Sequence, residues 1–296
     1  GLDELIKKNF IAKRLSFTSD IKQALNLCDI IFICVGTPTK KGSTKVDLSY
    51  VLKCTKEIFK YTKRKKIIVT KSTVPIGTGD EIEKILKKKK KLFTVISNPE
   101  FLREGEAIRD FRFPDRIVIG SNEKNSFSIM RKLYAPLINK GSKFFTTSRR
   151  GAELIKYASN AFLATKITFI NELANLCEKS GVNIEDISLG IGSDSRIGGR
   201  FLRAGPAYGG SCFPKDTKGL VSAADKFKVN LSVVKSVIKS NNERINLLTQ
   251  RVHKILGSNL KNKRISFLGV TFKPNTDDMR DSTSLKMIPY LCKKGA

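Results

Sequence analysis

Tryptophan is absent, histidine occurs once, at His253, and 27 acidic side chains face 56 basic ones. Each scarcity excludes something. No stretch approaches the ~18 apolar residues that a membrane span needs. The longest apolar run, residues 30–35, suits a buried strand. The first residues, Gly1-Leu2-Asp3-Glu4, have neither the basic start nor the apolar core of a signal peptide. A soluble cytoplasmic protein without membrane association is the expectation. Cys28, Cys34, Cys54, Cys177, Cys212 and Cys292 include no Cys-x-x-Cys pair. With a single histidine beside them, no zinc-site spacing can be assembled, so no metal is expected. In a chain without a signal peptide, free thiols are the ordinary outcome, and only Cys212 stands apart.

The shortage of acid leaves a net charge of +29, which raises the question of nucleic acid. Lysine supplies most of it and is spread along the whole chain, with short runs only at residues 63–66 and 87–91. No aromatic residues alternate with those runs, as a base-stacking groove requires. The charge is therefore read as solvated lysine faces, and no nucleic-acid partner is expected. A basic surface also tolerates an anionic substrate and cofactor. Hydrophobic residues make up 40% of the 296, enough for the cores of one large domain or two ordinary ones.

The first half alternates strand and helix. Residues 29–35 (DIIFICV) form a continuous apolar run ending at Gly36, as buried parallel strands do. Residues 47–61 follow with Leu48, Val51, Leu52, Ile58 and Phe59 at helical spacing. Further strands are predicted at 66–70, 92–96, 116–119 and 143–146, and helices at 79–89 and 125–138. This rhythm predicts a doubly wound, Rossmann-like parallel sheet. It lacks its usual opening of strand, G-x-G-x-x-G turn and helix. Neither Gly77-Thr78-Gly79 nor Gly190-Ile191-Gly192 has the third glycine or the preceding strand. The first βαβ unit of the sheet is expected to be missing.

From about Gly151 the pattern becomes helical. Residues 152–179 contain no Pro or Gly and are closed by Gly181. Helices are predicted at 184–191, 215–227 and 231–256. A strand reappears at 264–269 (RISFLG), close to the last residue, Ala296. The expected organisation is an α/β nucleotide-binding domain over 1–148, an all-helical central domain over 149–256, and the beginning of a second α/β domain over 257–296, cut short.

Ligands of open α/β sheets bind beyond the carboxyl ends of the strands. Three such ends carry unusual sequences: Val35-Gly36-Thr37-Pro38-Thr39, the segment from Lys71 to Thr78 (KSTVPIGT), and the segment from Ser97 to Gly105 (SNPEFLREG). Each alone is turn chemistry; three on one sheet edge predict a binding crevice. Glu100 and Glu104 are four apart and would share a face if that segment turns helically. Lys156 and Asn160 have the same spacing in the helical segment. Lys156, flanked by Ile155 and Tyr157, has an unusually apolar setting; a lysine taken out of water can bind an oxyanion or exchange a proton. The sharpest signal is Gly209-Gly210-Ser211-Cys212-Phe213-Pro214-Lys215-Asp216. Two glycines let backbone crowd a ligand, and Cys212 falls just before a predicted helix, where the macrodipole favours a thiolate. Asp216, on the first turn, can orient a water. A cysteine so placed is a nucleophile candidate.

Taken in order and spacing, these segments, with Arg196 to Gly198, residues 153–163 and residues 269–281 (GVTFKPNTDDMRD), resemble the UDP-glucose 6-dehydrogenase family over essentially the whole chain. GDP-mannose dehydrogenases resemble the cysteine octad less closely, and UDP-N-acetylmannosamine dehydrogenases lack its wording. The resemblance implies oxidation of the C6 hydroxyl of UDP-glucose to a carboxylate with two NAD molecules in turn. It implies that Cys212 forms a thiohemiacetal and then a thioester, that Glu100 and Asp216 handle protons, and that Lys156 and Asn160 hold the sugar and the developing oxyanion. It adds Thr73 to the catalytic set. NAD contacts are implied for Val35, Gly36, Thr37, Pro38, Thr39, Ser72, Thr73, Val74, Glu104, Lys215 and Arg280. Substrate contacts are implied for Glu100, Phe101, Leu102, Arg103, Glu104, Lys156, Asn160, Arg196, Phe201, Arg203, Gly205, Tyr208, Gly209, Phe272 and Lys273. The helical segment is implied to form a homodimer in which Arg196 reaches the neighbouring subunit. Ala207 departs from the family, which often has glycine there, and the glycine-rich fingerprint is absent. The rivals are the same chemistry on GDP-mannose or a UDP-N-acetylhexosamine, and, from another class, an inactive dehydrogenase fold that binds nucleic acid.

Overall fold

A computed structural model describes residues 1–40 and 42–296. They divide into two compact units, Gly1–Lys156 and Tyr157–Ala296. Among the described residues no helix is long and apolar enough to cross a membrane.

The first unit is built on a five-stranded sheet in the order β1 (Ile30–Ile33), β2 (Lys66–Thr70), β3 (Phe93–Ser97), β4 (Arg116–Ser121), β5 (Lys143–Thr147). Successive strand residues face opposite sides. Ile68 and Val95 enter one core with Ile33, Val51, Ile58 and Ile82, beneath α3 (Ser49–Tyr61) and α4 (Thr78–Leu86). Their neighbours Val69 and Ile96 enter the other, with Ile117, Ile119, Met130 and Tyr134, beneath α6 (Lys124–Leu133). Two buried faces explain the adjacent apolar residues Ile67-Ile68-Val69 of β2 and Val95-Ile96 of β3, and make the sheet doubly wound. The helix expected over 125–138 is broken at Tyr134, and α7 (Ala135–Ile138) restarts with Pro136 in its first turn, where the missing N–H of its ring is tolerated. Two further helices precede the sheet, α1 (Leu2–Ile11) and α2 (Ile21–Leu27), the latter capped by Asp20.

One sheet expectation is corrected. β1, β2 and β3 are parallel, as are β4 and β5, but β4 runs antiparallel to β3 through Ile96↔Ser121 and Ser97↔Gly120. A parallel return needs a crossover of a dozen or so residues, usually a helix spanning the sheet. The β3–β4 connection contains only the six-residue α5 (Ala107–Arg112), so the chain turns back at the same end. The sheet is parallel-dominated rather than wholly parallel.

Helix α8 (Arg149–Ser180) begins in the first unit and continues into the second. The second unit adds α9 (Ile184–Gly192), α10 (Phe213–Lys226), α11 (Ser232–Leu256) and α12 (Ser284–Lys293). Tyr157, Ala161 and Leu220 form one small core, and Ala164, Tyr208 and Val237 another. The strand expected at 264–269 does not form, and Leu268 is 98% exposed. Strand geometry is held by a neighbour's backbone, and no neighbouring strand pairs with this segment among the described residues.

Candidate active site

The carboxyl ends of β1 and β2 are sewn together. Ser72 Oγ donates to the carbonyl of Val35 at 2.7 Å and to that of Ile33 at 3.2 Å. The buried Thr37 hydroxyl donates to the Thr73 carbonyl at 2.8 Å. Gly36 is exposed, and a Cβ added there would meet nothing within 4 Å, so its backbone is open to a ligand. The segments that follow β1 and β2 thus meet at this edge of the first unit.

The start of α8 is stapled to α4. Glu153 accepts from the N–H groups of Gly77 (2.6 Å) and Gly79 (2.8 Å), the unpaired donors of the α4 N-terminus. Burial pushes the Glu153 carboxyl up to about 7 against the pull of those donors. Arg149 holds Asp80 at 3.0 Å and Glu83 at 2.5 Å. Gly120 permits this approach, since a Cβ there would lie 2.6 Å from Ala152 Cβ and from the Ser148 carbonyl.

One turn further, Lys156, 4% exposed, places Nζ 3.1 Å from Glu100 Oε1 and 5.3 Å from the centre of the Phe101 ring. Glu100 Oε2 accepts from the Leu102 N–H at 2.6 Å. The segment carrying Glu100 is irregular, so Glu100 and Glu104 do not share a helical face; Pro99 and the turn at Gly105, φ +81°, disfavour a helix. Phe101 is covered by the Arg116 guanidinium at 4.0 Å. Arg103 turns to Asp110 and Glu106.

Sequence reasoning missed a polar knot beside this pair. Lys71 Nζ donates to Asn98 Oδ1 (3.3 Å), which also accepts from the Tyr134 hydroxyl (2.5 Å), while Asn98 Nδ2 donates to the Val118 carbonyl (2.9 Å). Burial holds Lys71 down at about 8 against the opposing pull of Glu100, and burial pushes Tyr134 up to about 12. The only signal in sequence was a lysine directly after an apolar strand.

In the second unit, Cys212 is the residue before α10, which starts two positions earlier than expected. Its side chain is exposed, with Ser211 Oγ 3.6 Å from the sulfur. Asp216 is 1% exposed; it accepts from Asn160 Nδ2 at 2.6 Å and pairs with Lys215 Nζ at 2.6 Å. The spacing of the octad therefore delivers an accessible thiol and a fixed, ion-paired carboxylate one turn apart. Gly209 and Gly210 are required by close packing. A Cβ at Gly209 would lie 2.5 Å from the Asp281 carbonyl, and one at Gly210, φ +77°, would lie 2.7 Å from the Phe272 ring. The Gly210 N–H donates to the Arg280 carbonyl at 2.7 Å. Residues 269–281 are thus brought to the cysteine turn. Phe201, at φ +67°, stands 6.1 Å from the Phe213 ring. The Arg280 side chain is tied to Asp278, Lys273 reaches over the Phe272 ring at 5.8 Å, and Arg196 points into solvent, paired with Asp194. Arg203 is exposed.

The family model described as UDP-glucose/GDP-mannose dehydrogenase family, NAD binding domain, matches residues 1–138, and the central domain of the same family matches residues 150–243. The UDP-glucose 6-dehydrogenase of Rhizobium meliloti (strain 1021) is 48% identical over 100% of this chain and 69% of its own length. That of Rickettsia felis is 48% identical over 99% of the chain and 65% of its own length. The chain thus spans about two thirds of these relatives. Among solved structures, a UDP-glucose dehydrogenase from Pyrobaculum islandicum superposes with a TM-score of 0.93 at 35% identity, over 100% of this chain and 69% of that one. NAD is the cofactor that goes with the matched domain. The open backbone at Gly36 and the fixed hydroxyls of Thr37 and Ser72 fit one end of a dinucleotide; the glycine turn that takes a pyrophosphate is not in the sequence. The chain belongs to the UDP-glucose/GDP-mannose dehydrogenase family.

Proposed function

We propose that the complete protein is a cytoplasmic NAD-dependent UDP-glucose 6-dehydrogenase that oxidises the C6 hydroxyl of UDP-glucose to the carboxylate of UDP-glucuronate. The observation that carries this reading is the accessible Cys212 thiol at the head of α10, one turn from the buried Asp216. NAD, when bound, accepts the hydrides of the two oxidations. The Cys212 thiol adds across the C6 aldehyde, its sulfur to the carbon and its proton to the carbonyl oxygen, and gives a thiohemiacetal. Loss of the C6 hydrogen as hydride and of the hydroxyl proton leaves a thioester, and water cleaves its C–S bond to release the carboxylate, a proton and the thiol. Asp216, held in place by Asn160 and Lys215, would accept the proton of the attacking water. Lys156, already paired to Glu100 and largely out of water, supplies preorganised positive charge for the developing oxyanion. Asn160 assists it, and Glu100 serves the protons of the alcohol and aldehyde stages.

Val35, Gly36, Thr37, Pro38, Thr39, Ser72, Thr73, Val74, Glu104, Lys215 and Arg280 would hold the NAD. Phe101, Leu102, Arg103, Arg196, Phe201, Arg203, Gly205, Tyr208, Gly209, Phe272 and Lys273 would hold the sugar nucleotide. Residues 257–296 would open the domain that receives its UDP. A homodimer through the central helices is part of the same reading. It is supported by Phe162, Phe169 and Leu176, which expose 67%, 51% and 61% of their surface at seven-residue spacing along α8.

The test is NADH formation by the complete protein with a panel of UDP- and GDP-sugars. The reading expects two NADH per UDP-glucose consumed; turnover of GDP-mannose or a UDP-N-acetylhexosamine in its place would replace the substrate assigned here.

A further inference from the structure

Residues 202–209, between α9 and α10, form neither helix nor strand, yet Leu202, Tyr208 and Gly209 are buried. Buried backbone without secondary structure must find other hydrogen-bond partners. Here the partners are three side chains from two helices. The Gly205 N–H donates to Asn171 Oδ1 of α8 at 2.8 Å. The Gly205 carbonyl accepts from Nε and Nη2 of Arg244 on α11 at 3.2 and 3.1 Å. The Tyr208 N–H donates to Asn241 Oδ1 at 2.9 Å, and Asn241 Nδ2 returns a bond to the Tyr208 carbonyl at 3.1 Å. The Asn241 amide therefore mimics a neighbouring strand. Arg244 is itself pinned, its Nη1 donating to the Asn171 carbonyl at 3.0 Å and to Asn175 Oδ1. Asn171, Asn241 and Arg244 are all buried, and a hydrogen bond made by a buried group is stronger than the same bond in water.

Three buried polar groups are costly to keep in a helical core unless every bond is made. Five of their bonds go to two residues of a loop. We propose that Asn171, Asn241 and Arg244 are positioning residues that hold residues 205–208 in their ligand-binding shape before the sugar nucleotide arrives, and so set its affinity. The proposal rests on the reading above that Gly205 and Tyr208 line the sugar-nucleotide site. The physical gain is preorganisation: a loop ordered in advance does not charge its conformational entropy to the ligand. The clamp acts on binding and not on the reacting carbon, so it separates KM from kcat.

The experiment compares wild type, Asn241→Leu and Arg244→Lys in the complete protein by steady-state kinetics and by calorimetry with UDP-glucose and with NAD separately. Asn241→Leu, which keeps the branched outline and removes both bonds to Tyr208, should raise KM and Kd for UDP-glucose about tenfold or more. NAD affinity and kcat at saturation should stay within about threefold, and Arg244→Lys should fall between. A second measurement needs no variant: hydrogen exchange of peptides spanning residues 203–210 in ligand-free wild type. Slow exchange before UDP-glucose is added supports the clamp. Free exchange until the ligand arrives would overturn it, as would a folded Asn241→Leu protein with unchanged UDP-glucose affinity. If wild type itself failed to bind UDP-glucose, the functional reading would fall and this proposal with it.

Discussion

Replacing Lys71 by methionine isolates the cost of keeping a positive charge inside the first unit. Burial holds the Lys71 ammonium down at about 8 from its ordinary 10.5, with Glu100 offsetting part of the effect. The folded chain therefore binds this proton less tightly than the unfolded chain, and the stability of the wild type should rise with pH between those two values. At about 1.4 kcal/mol per unit, the charged Lys71 costs about 3 kcal/mol near pH 7 and about 1 kcal/mol near pH 9.5. Methionine cannot titrate, and Asn98 Oδ1 keeps the Tyr134 hydroxyl as a partner. The other titrating groups are common to both proteins and cancel in the difference once Cys34, whose thiol feels the Lys71 charge, is replaced by alanine in both. Urea unfolding followed by circular dichroism at the two pH values should show the wild type gaining about 2 kcal/mol relative to Lys71→Met. Parallel pH profiles would refute the reasoning, because they would mean that the Lys71 charge is fully compensated in the fold.

Lys156→Ala should lower kcat of the complete protein about a hundredfold or more, the scale of losing one oxyanion donor; a change confined to KM would reduce Lys156 to a binding residue. Gly209→Ala drives a methyl to 2.5 Å from the Asp281 carbonyl; overpacking of this kind costs about 1–3 kcal/mol, so calorimetry should show a melting point several degrees lower, and an unchanged one would mean that residues 269–281 pack elsewhere. Random duplex DNA should bind weakly and lose its hold between low and physiological salt; tight, sequence-selective binding at physiological salt would overturn the reading of the lysine content.

Much of the first unit was legible because its strands are buried on both faces. The strands β2 and β3 carry adjacent apolar residues, Ile67-Ile68-Val69 and Val95-Ile96, and they lie within one residue of where the sequence pattern puts them. The reversal at β4 was invisible, since strand composition does not record direction and only the brevity of α5 gives it away. The 264–269 strand failed for the opposite reason: its composition is that of a strand, but a strand needs a partner, and pairing is not a property of one segment. At the site, the glycines of the Gly-Gly turn and the cysteine before a helix were readable because backbone clearance and helix starts are local. The contacts of Lys71, Asn98 and Tyr134, and the hold of Asn241 and Arg244 on the 205–208 loop, join residues dozens of positions apart. A single sequence offers no signal for such pairs.

The central claim is that Cys212 carries the sugar through a thioester, and the most direct test is product formation by Cys212→Ala and Cys212→Ser in the complete protein. Hydride loss from an alcohol needs no thiol, whereas taking an aldehyde to an acid needs a tetrahedral centre that can give up a second hydride. A serine hydroxyl without an adjacent activating base does not add to the aldehyde as a thiolate does. Steady-state NADH and UDP-glucuronate should both vanish in the two variants, while calorimetric affinities for NAD and UDP-glucose stay near those of wild type. Near-normal UDP-glucuronate production by Cys212→Ala would contradict the thioester route and leave Cys212 as a surface residue at the head of α10.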